Sequence, residues 1–347
     1  MKKIIAILLA ALMLLPLFAA CAGKTPEETT PAPEETTAAP AETETVPTEE
    51  PVTVRLGALK GATSIGLVKL LSDAEEKKAQ NDYAFQMAAA ADELTPLLLK
   101  GEMDILVVPS NLGSVLYNKT SGGVRFLAVS TLGVLYLTES GGETVKTWSD
   151  LKGKTVYSTG KGTTPEYAFK YLLSQNGLDP EKDLTIEWKS EPTEIVAAMK
   201  AGGDVVAVLP QPFVTVAGTQ VEGLRTVFDF TAEWDKLNNG SRLVTAGIIV
   251  RAAFAEEHPD ALERFLEDYR ASVAYVNGNA KDAAVLVEKY GIVKAAVAEK
   301  AIPYCNIVSI SGAEMLPVIK GYLNVLYEQN PASVGGKLPA DDYYLAK

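Results

Sequence analysis

Two stretches of this chain, about one hundred residues apart, are written in the same order, and a repeat on that scale constrains the architecture before any single residue does. Lys60-Gly61-x-Thr63 recurs 101 residues later as Lys161-Gly162-x-Thr164. Leu99-Lys100-Gly101-Glu102-Met103-Asp104, running into Ile105-Leu106-Val107-Val108-Pro109, recurs at an offset of 100 as Met199-Lys200-Ala201-Gly202-Gly203-Asp204 before Val205-Val206-Ala207-Val208-Leu209-Pro210. The two offsets agree to within one residue, which marks an internal duplication.

Each copy reads as strand, glycine-rich turn, helix, strand, helix, strand. The strands fall at 52–57, 83–88 and 104–108 in the first copy, and at 154–158, 183–188 and 204–209 in the second. The helices fall at 63–78 and 92–101, then at 163–177 and 192–202, with apolar residues at helical spacing. The third strand of each copy is continuously apolar, as in parallel sheets covered by helices on both faces. The expected fold class is therefore α/β, two doubly wound lobes.

Residues 127–138 are long enough to leave one sheet and enter the other, and 245–250 form the return path. That assigns 51–137 with 245–347 to lobe 1 and 138–244 to lobe 2. Helices at 251–257, 259–277, 279–290, 294–302 and 311–329 are expected to pack back on lobe 1. Two crossings make a hinge. In open α/β sheets ligands sit beyond the carboxyl ends of the strands, and both Lys-Gly-x-Thr turns lie at such ends. The turns are not phosphate-binding P-loops, because Lys161 is followed by Gly162 instead of Ser or Thr. Thr163 and Glu166 fit a capping box and Pro165 a first helical turn, so the threonine hydroxyls have two open roles, helix capping and ligand contact.

The amino end reads as an export signal. Lys2-Lys3 precede an apolar run from Ile4 to Leu15, then Leu17-Phe18-Ala19-Ala20-Cys21. Small residues before a cysteine match a lipoprotein cleavage site, which makes residues 1–21 the signal, Cys21 the lipidation site and the expected location extracytoplasmic, lipid-anchored to the membrane. Residues 22–50 follow as an acidic tether rich in Thr, Pro and Glu, too poor in aliphatic residues to build a core. Lys2-Lys3 add +2 and residues 24–50 add −7 to a whole-chain charge of −12, so residues 51–347 carry −7. That balance excludes a nucleic-acid surface. Cys305, flanked by apolar residues, is the one other cysteine and reads as a buried structural thiol.

With these features in place the chain resembles the substrate-binding lipoproteins of ABC importers, in the group that includes nitrate, sulfonate and taurine binders and the thiamine-precursor binders. The resemblance spans residues 52–330. It is carried by the lipobox and tether, Asp150-Leu151-Lys152-Gly153-Lys154-Thr155-Val156, the turn at 160–164, and Ala198-Met199-Lys200-Ala201-Gly202-Gly203-Asp204 leading into Val208-Leu209-Pro210-Gln211-Pro212-Phe213. It implies a periplasmic-binding-protein type II-like fold, a monomer that encloses a small molecule between lobes and delivers it to an ABC permease. The ligand contacts it implies are Gly61, Ala62, Thr63 and Ser64; Ser110 and Asn111; Thr131, Leu132 and Gly133; Gly162, Thr163 and Thr164; and Gln211, Pro212 and Phe213. Relatives commonly read Glu-Pro-Phe at the last segment, so Gln211 departs from the pattern.

Other classes fit less well. One eukaryotic branch of the fold is enzymatic and uses its own histidine, but here the single histidine, His258, sits in Glu256-Glu257-His258-Pro259-Asp260 as a helix start. No nucleophile–histidine–acid set, metal-ligand spacing or cofactor fingerprint is present, so neither catalysis, a metal nor a cofactor is expected. A sensor or adhesion lipoprotein would share the anchor and tether without enclosing a ligand. Two ligand types stay open: an anion held by helix N-termini with Lys60 or Lys161, and a flat heteroaromatic ring walled by Tyr136, Tyr157, Phe213 and Trp234.

Overall fold

The computed structural model describes residues 52–346, which belong to one compact unit. The signal, Cys21 and the tether lie outside the described residues.

The first copy opens with β1 (Thr53–Leu59), α1 (Ala62–Ile65), α2 (Val68–Glu75), β2 (Asp82–Ala88), α3 (Ala91–Leu99) and β3 (Ile105–Pro109). Helix α4 (Ser110–Lys119) and strand β4 (Val124–Leu132) follow, and the chain then crosses through Gly133 and Val134 into β5 (Leu135–Ser140) of a second sheet. The second copy runs β6 (Thr155–Ser158), α5 (Thr164–Gln175), β7 (Thr185–Trp188), α6 (Pro192–Lys200), β8 (Val205–Pro210), α7 (Phe213–Gln220), β9 (Arg225–Asp229) and α8 (Phe230–Lys236). Strand β10 (Val244–Arg251) returns to the first sheet. Behind it come α9 (Ala252–Glu257), α10 (Pro259–Gly278), α11 (Ala280–Lys289), α12 (Ala295–Ala301), β11 (Ile307–Ser311) and α13 (Gly312–Gln329).

The duplication is visible in the strand orders. The first sheet reads β11-β4-β10-β3-β1-β2 and the second β7-β6-β8-β5-β9. Strands β2-β1-β3-β10-β4 thus correspond one for one to β7-β6-β8-β5-β9. In each sheet the antiparallel fourth member of these five, β10 or β5, is supplied by a crossover from the other half. β3 is buried along its whole length, as its unbroken Ile-Leu-Val-Val requires. β2 lies at the sheet edge and alternates exposed with partly covered residues, the period-2 pattern of a half-covered strand.

Three local readings are corrected. The helix expected over 63–78 is two helices broken at Gly66 and Leu67. In a continuous helix the Leu70 N–H would bond to the Gly66 carbonyl. Instead Ser272, from α10, inserts its hydroxyl between them, accepting from Leu70 N at 3.1 Å and donating to Gly66 O at 2.7 Å. Secondly, the tail after residue 250 is not all helical, since β11 adds an edge to the first sheet beside β4. Thirdly, α13 does not pack on the first sheet's half alone. Its Tyr322 ring lies 5.5 Å from that of Trp234 on α8, inside an apolar core that also holds Leu132, Leu137 and Phe169.

Candidate functional site

The parallel strands β1, β2, β3, β6, β7 and β8 end towards one region, with the antiparallel β5 and β10 starting there, so helices α3, α4, α5, α6 and α7 all begin at it. A cavity of ≈ 460 Å³ occupies it, lined from both halves of the repeat. Lys60, Gly61, Ala62 and Thr63 form one side, and Lys161, Gly162 and Thr163 the facing one. The glycines serve as the turns demand. Gly61 has φ 141 and Gly162 φ 76, regions that L residues with a side chain rarely enter. The Phe213 ring edge stands 3.8 Å from where a Cβ at Gly61 would be, an ordinary contact, so the backbone conformation is what calls for glycine there.

The hydroxyls are partly committed. Thr63 Oγ1 and Ser64 Oγ donate to the Leu59 carbonyl at 2.5 and 2.6 Å, tying the turn back to the end of β1. Thr163 Oγ1 donates to the Gly160 carbonyl at 2.6 Å. The capping box expected from Thr163 and Glu166 is not formed: Thr163 Oγ1 caps no helix N–H, and Glu166 Oε2 accepts from Gly162 N at 2.6 Å, one residue ahead of the N-cap, because the Thr163 N–H and hydroxyl are both spent on the Gly160 carbonyl.

Of the residues named from the sequence, Gly61, Ala62, Thr63, Thr131, Gly162, Thr163, Gln211 and Phe213 line the cavity. The others lie behind it. Ser64 is buried against β1. Ser110 Oγ donates to the Val244 carbonyl at 2.6 Å, and Asn111 Nδ2 to the Ser333 carbonyl at 2.9 Å. Thr164 is buried, with Oγ1 3.3 Å from both Ser110 Oγ and Asn111 Oδ1. Leu132 and Gly133 belong to the crossover. Asn306 holds both, its Nδ2 donating to Gly133 O at 2.5 Å and its carbonyl accepting from Leu132 N at 3.1 Å. Any side chain at Gly133 would collide with Thr231 Oγ1, 2.1 Å from the Cβ position. Pro212 follows Gln211 through a cis peptide and sets Phe213 at the start of α7.

The floor is made by the two crossover strands. Thr131 on β4 and Thr245 on β10 both line the cavity, and their Oγ1 atoms are buried without a hydrogen-bond partner. A buried hydroxyl without a partner is costly, and these two share one cavity wall, each able to donate or to accept. Thr245 escaped the sequence reading, because its place beside Thr131 is set by the pairing of β10 with β4, in which Ala246 lies opposite Thr131. Gln211 is fixed by its own helix. Its Oε1 accepts from Thr215 N at 3.3 Å and Thr215 Oγ1 at 2.8 Å.

Charge on the lining is mainly positive. Lys60, Lys161 and Lys189 face Asp92 alone. Lys189 is engaged by Glu187 at 2.6 Å and lies over the Tyr157 ring, whereas Lys60 and Lys161 enter no ion pair among the described residues. The aromatic wall that the sequence left open is not assembled. Phe213 alone of that set lines the cavity. Trp234 is fully buried, its Nε1 donating to Ser241 Oγ at 3.0 Å, and Tyr136 is covered in the core around β8, its phenol pushed well above the usual range by burial.

Cys305 is fully buried and unpaired, and burial pushes its thiol up to about 12. No helix among the described residues is long and apolar enough to cross a membrane.

The model of the NMT1-like family matches residues 48–289, and the chain belongs to that family. No curated protein sequence matches it. Among solved structures, an ABC transporter protein from Parabacteroides distasonis is 23% identical with a TM-score of 0.69, covering 85% of this chain and 99% of that one. The periplasmic aliphatic sulphonate binding protein SsuA from Escherichia coli is 18% identical with a TM-score of 0.66, covering 83% and 91%. The periplasmic nitrate-binding protein NrtA from Synechocystis is 14% identical with a TM-score of 0.58, covering 78% and 76%. The fold is the periplasmic-binding-protein type II-like arrangement these structures share.

Proposed function

We propose that this member of the NMT1-like family is the extracytoplasmic substrate-binding component of an ABC importer, and that it takes a small organic anion, such as a sulfonate, into the cavity between its two sheets. The observation that carries the reading is the donor-lined floor, with the Thr131 and Thr245 hydroxyls buried and unpartnered and Lys60 and Lys161 free of ion pairs at the sides. An acceptor-bearing, negatively charged group meets every one of them. Helices α5, α6 and α7 add the positive ends of their dipoles.

Size narrows the class. A volume of ≈ 460 Å³ falls within the range of sites that enclose small organic molecules. A bare inorganic anion, comparable to one or two waters of about 30 Å³ each, would leave most of it empty. The apolar part of the lining, Leu59, Val134, Leu135 and Phe213 among it, suits a short aliphatic body. A flat heteroaromatic ligand is the weaker reading, because a single aromatic ring lines the cavity and none faces it for stacking.

The two crossovers, at 133–134 and after α8, would act as the hinge about which two lobes close on the ligand; because β5 begins at Leu135 and β10 at Val244, the lobe bounds expected at 137/138 and 244/245 move to 134/135 and 243/244. Anchoring through a diacylated Cys21, a monomeric state, the tether over 22–50 and delivery to a membrane permease complete the proposal. The test is native mass spectrometry of the protein purified without Cys21, followed by calorimetric titration with straight-chain alkanesulfonates, nitrate and an aminopyrimidine. Micromolar or tighter binding of an alkanesulfonate is expected; binding of the pyrimidine in preference to every anion would overturn the assignment.

A further inference from the structure

We infer that the protein opens as a one-sided door: the face built on α4, α5, α8 and α13 stays joined whether the cavity is empty or filled, and the lobes part on the opposite face, where α7 meets the α1 turn and α12. The inference rests on the proposed closure of two lobes and adds which face moves.

The apolar cores on the two faces differ. Along β3, Leu106 and Val108 point to one core and Ile105 and Val107 to another, and along β8 Val206 and Val208 part from Ala207 and Leu209 in the same way. The core reached by Leu106 and Val206 is shared. It takes Phe126, Met315 and Tyr322 from the first lobe and Leu137, Phe169 and Trp234 from the second. On the opposite face each lobe keeps a core of its own, around Ile65 and Phe265 in the first and around Ile195 and Phe213 in the second. Helices α7 and α12 touch on that face. Even so, the buried Val214 and Ala217 of α7 belong to one core and the buried Ala298 and Ala301 of α12 to the other.

The shared face is fastened as well as packed. Tyr322 of α13 and Trp234 of α8 are fully buried with ring centroids 5.5 Å apart, and a Cβ at Gly321 would stand 3.4 Å from Ser241 Cβ on the return crossover. Ser110 Oγ and Asn111 Oδ1 at the start of α4 each lie 3.3 Å from Thr164 Oγ1 at the start of α5. Rings of this kind bury about 150–250 Å² each, so parting the face would expose them and strand the polar groups beside them. The duplication puts the equivalent meeting, between the start of α7 and the α1 turn, on the other face. There the Phe213 ring makes only ordinary contact with Gly61, and no hydrogen bond joins α7 to the α1 turn or to α12 among the described residues. That contact can break and re-form without leaving a polar group stranded.

The test is the distance between nitroxide labels, measured by pulsed electron spin resonance on two double variants of the protein lacking Cys21 and carrying Cys305→Ala. Ser174→Cys with Asn324→Cys spans the shared face from α5 to α13, and Gln220→Cys with Lys300→Cys spans the opposite face from α7 to α12; all four positions are exposed. Thermal melting confirms that each labelled protein is folded. In the empty protein the α5–α13 pair should give one narrow distance and the α7–α12 pair a broad distribution. Saturation with butane-1-sulfonate should shorten the α7–α12 distance by more than about 5 Å and leave the α5–α13 distance within about 2 Å, the scale of helix shifts inside an intact interface. Equal broadening of both pairs in the empty protein, broadening of the α5–α13 pair alone, or narrow distances for both would each overturn the inference. Because that comparison needs no ligand, failure of butane-1-sulfonate to bind would count against the proposed function while the empty protein still decides which face opens.

Discussion

Ser110 Oγ and Thr164 Oγ1 lie 3.3 Å apart at the first residues of α4 and α5, so the two halves of the repeat meet through a pair of buried hydroxyls. Asn111 joins them, its Oδ1 3.3 Å from Thr164 Oγ1 and its Nδ2 3.5 Å from the Gly162 carbonyl. The Lys161-Gly162-x-Thr164 turn, whose Gly162, Thr163 and Thr164 were all expected to contact a ligand, is therefore divided. Gly162 and Thr163 face the cavity, while Thr164 turns away and fastens the second half to the first.

That division makes the paired threonines behave differently. Thr164→Val conserves volume and removes the hydroxyl, leaving Asn111 Oδ1 a partner short. A loss of about 0.5–1.5 kcal/mol in unfolding free energy is expected, read from urea denaturation. Thr63→Val should cost a comparable stability through the bond to Leu59 and also weaken ligand binding, because Thr63 lines the cavity. Equal effects of both variants on affinity would contradict the placement of Thr164.

The two turn glycines should also rank in a fixed order. Gly162→Ala meets no atom within 4 Å and suffers only the left-handed backbone at φ 76, a cost of about 1–2 kcal/mol. Gly61, at φ 141 and ψ −149, lies where only glycine is at ease, and strain of about 1–3 kcal/mol is expected for alanine there. Its new methyl would meet Phe213 only at ordinary contact distance, 3.8 Å, so the backbone strain alone sets the difference. Denaturation midpoints should fall further for Gly61→Ala than for Gly162→Ala.

Much of this architecture is legible in the residues. The hundred-residue offset gives the two sheets, and the long apolar runs at 127–138 and 245–250 mark the crossovers, because each depends on pattern along the chain. What stays hidden depends on partners far away in sequence. The break at Gly66 needs Ser272, 206 residues distant, and a Cβ at Gly66 would lie 3.0 Å from Ile307. Trp234 and Tyr136 resemble ligand walls in composition but are core because α13 and β8 cover them. The open hydroxyls of Thr131 and Thr245 become visible only when β4 and β10 are paired.

Acid sensitivity should come from two buried carboxylates at the ends of the sheets away from the cavity. Burial acts to raise Asp104, but hydrogen bonds from the Arg55 side chain and backbone, and from Arg251, outweigh it and hold the carboxyl below its usual range. Burial likewise acts to raise Glu139, and Thr144, Arg225 and the Val145 N–H together hold it low. A carboxylate whose folded value is depressed stabilises the fold above its unfolded value of roughly 4, and that contribution drains away as the pH falls through the folded value. Stability should therefore be level near neutral pH and decline below about pH 4. Asp104→Asn should lower stability at pH 7 by about 1.5–3 kcal/mol, as for a hydrogen bond to a charged group, and flatten the acid limb. An unchanged limb in that variant would assign the acid sensitivity elsewhere.

Cys305 should be inert in the folded protein. The thiolate is the reactive form, and a thiol pushed up to about 12 holds almost none of it at pH 8. Labelling by an aromatic disulfide reagent at that pH should be absent under native conditions and stoichiometric in denaturant. Rapid native labelling would mean that the helices around Cys305 open far more readily than their packing implies.

The last expectation concerns which aromatic residues the ligand meets. Trp234 is packed between Tyr171, at 4.8 Å between ring centroids, and Tyr322, at 5.5 Å, and its Nε1 donates to Ser241. Trp234→Phe gives up that hydrogen bond and part of the ring, so unfolding free energy should drop by at least the roughly 0.5–1.5 kcal/mol of the bond. Its affinity for butane-1-sulfonate should remain within twofold of wild type, because Trp234 does not reach the cavity lining. Phe213→Leu should do the reverse, keeping most of the apolar volume at the start of α7 while changing the surface that the ligand touches, and weaken binding several-fold with a smaller loss of stability. The two variants are compared by titration and by denaturation on the same preparations. A fall in affinity for Trp234→Phe matching that for Phe213→Leu would restore the aromatic wall and with it the case for a flat, ring-bearing ligand.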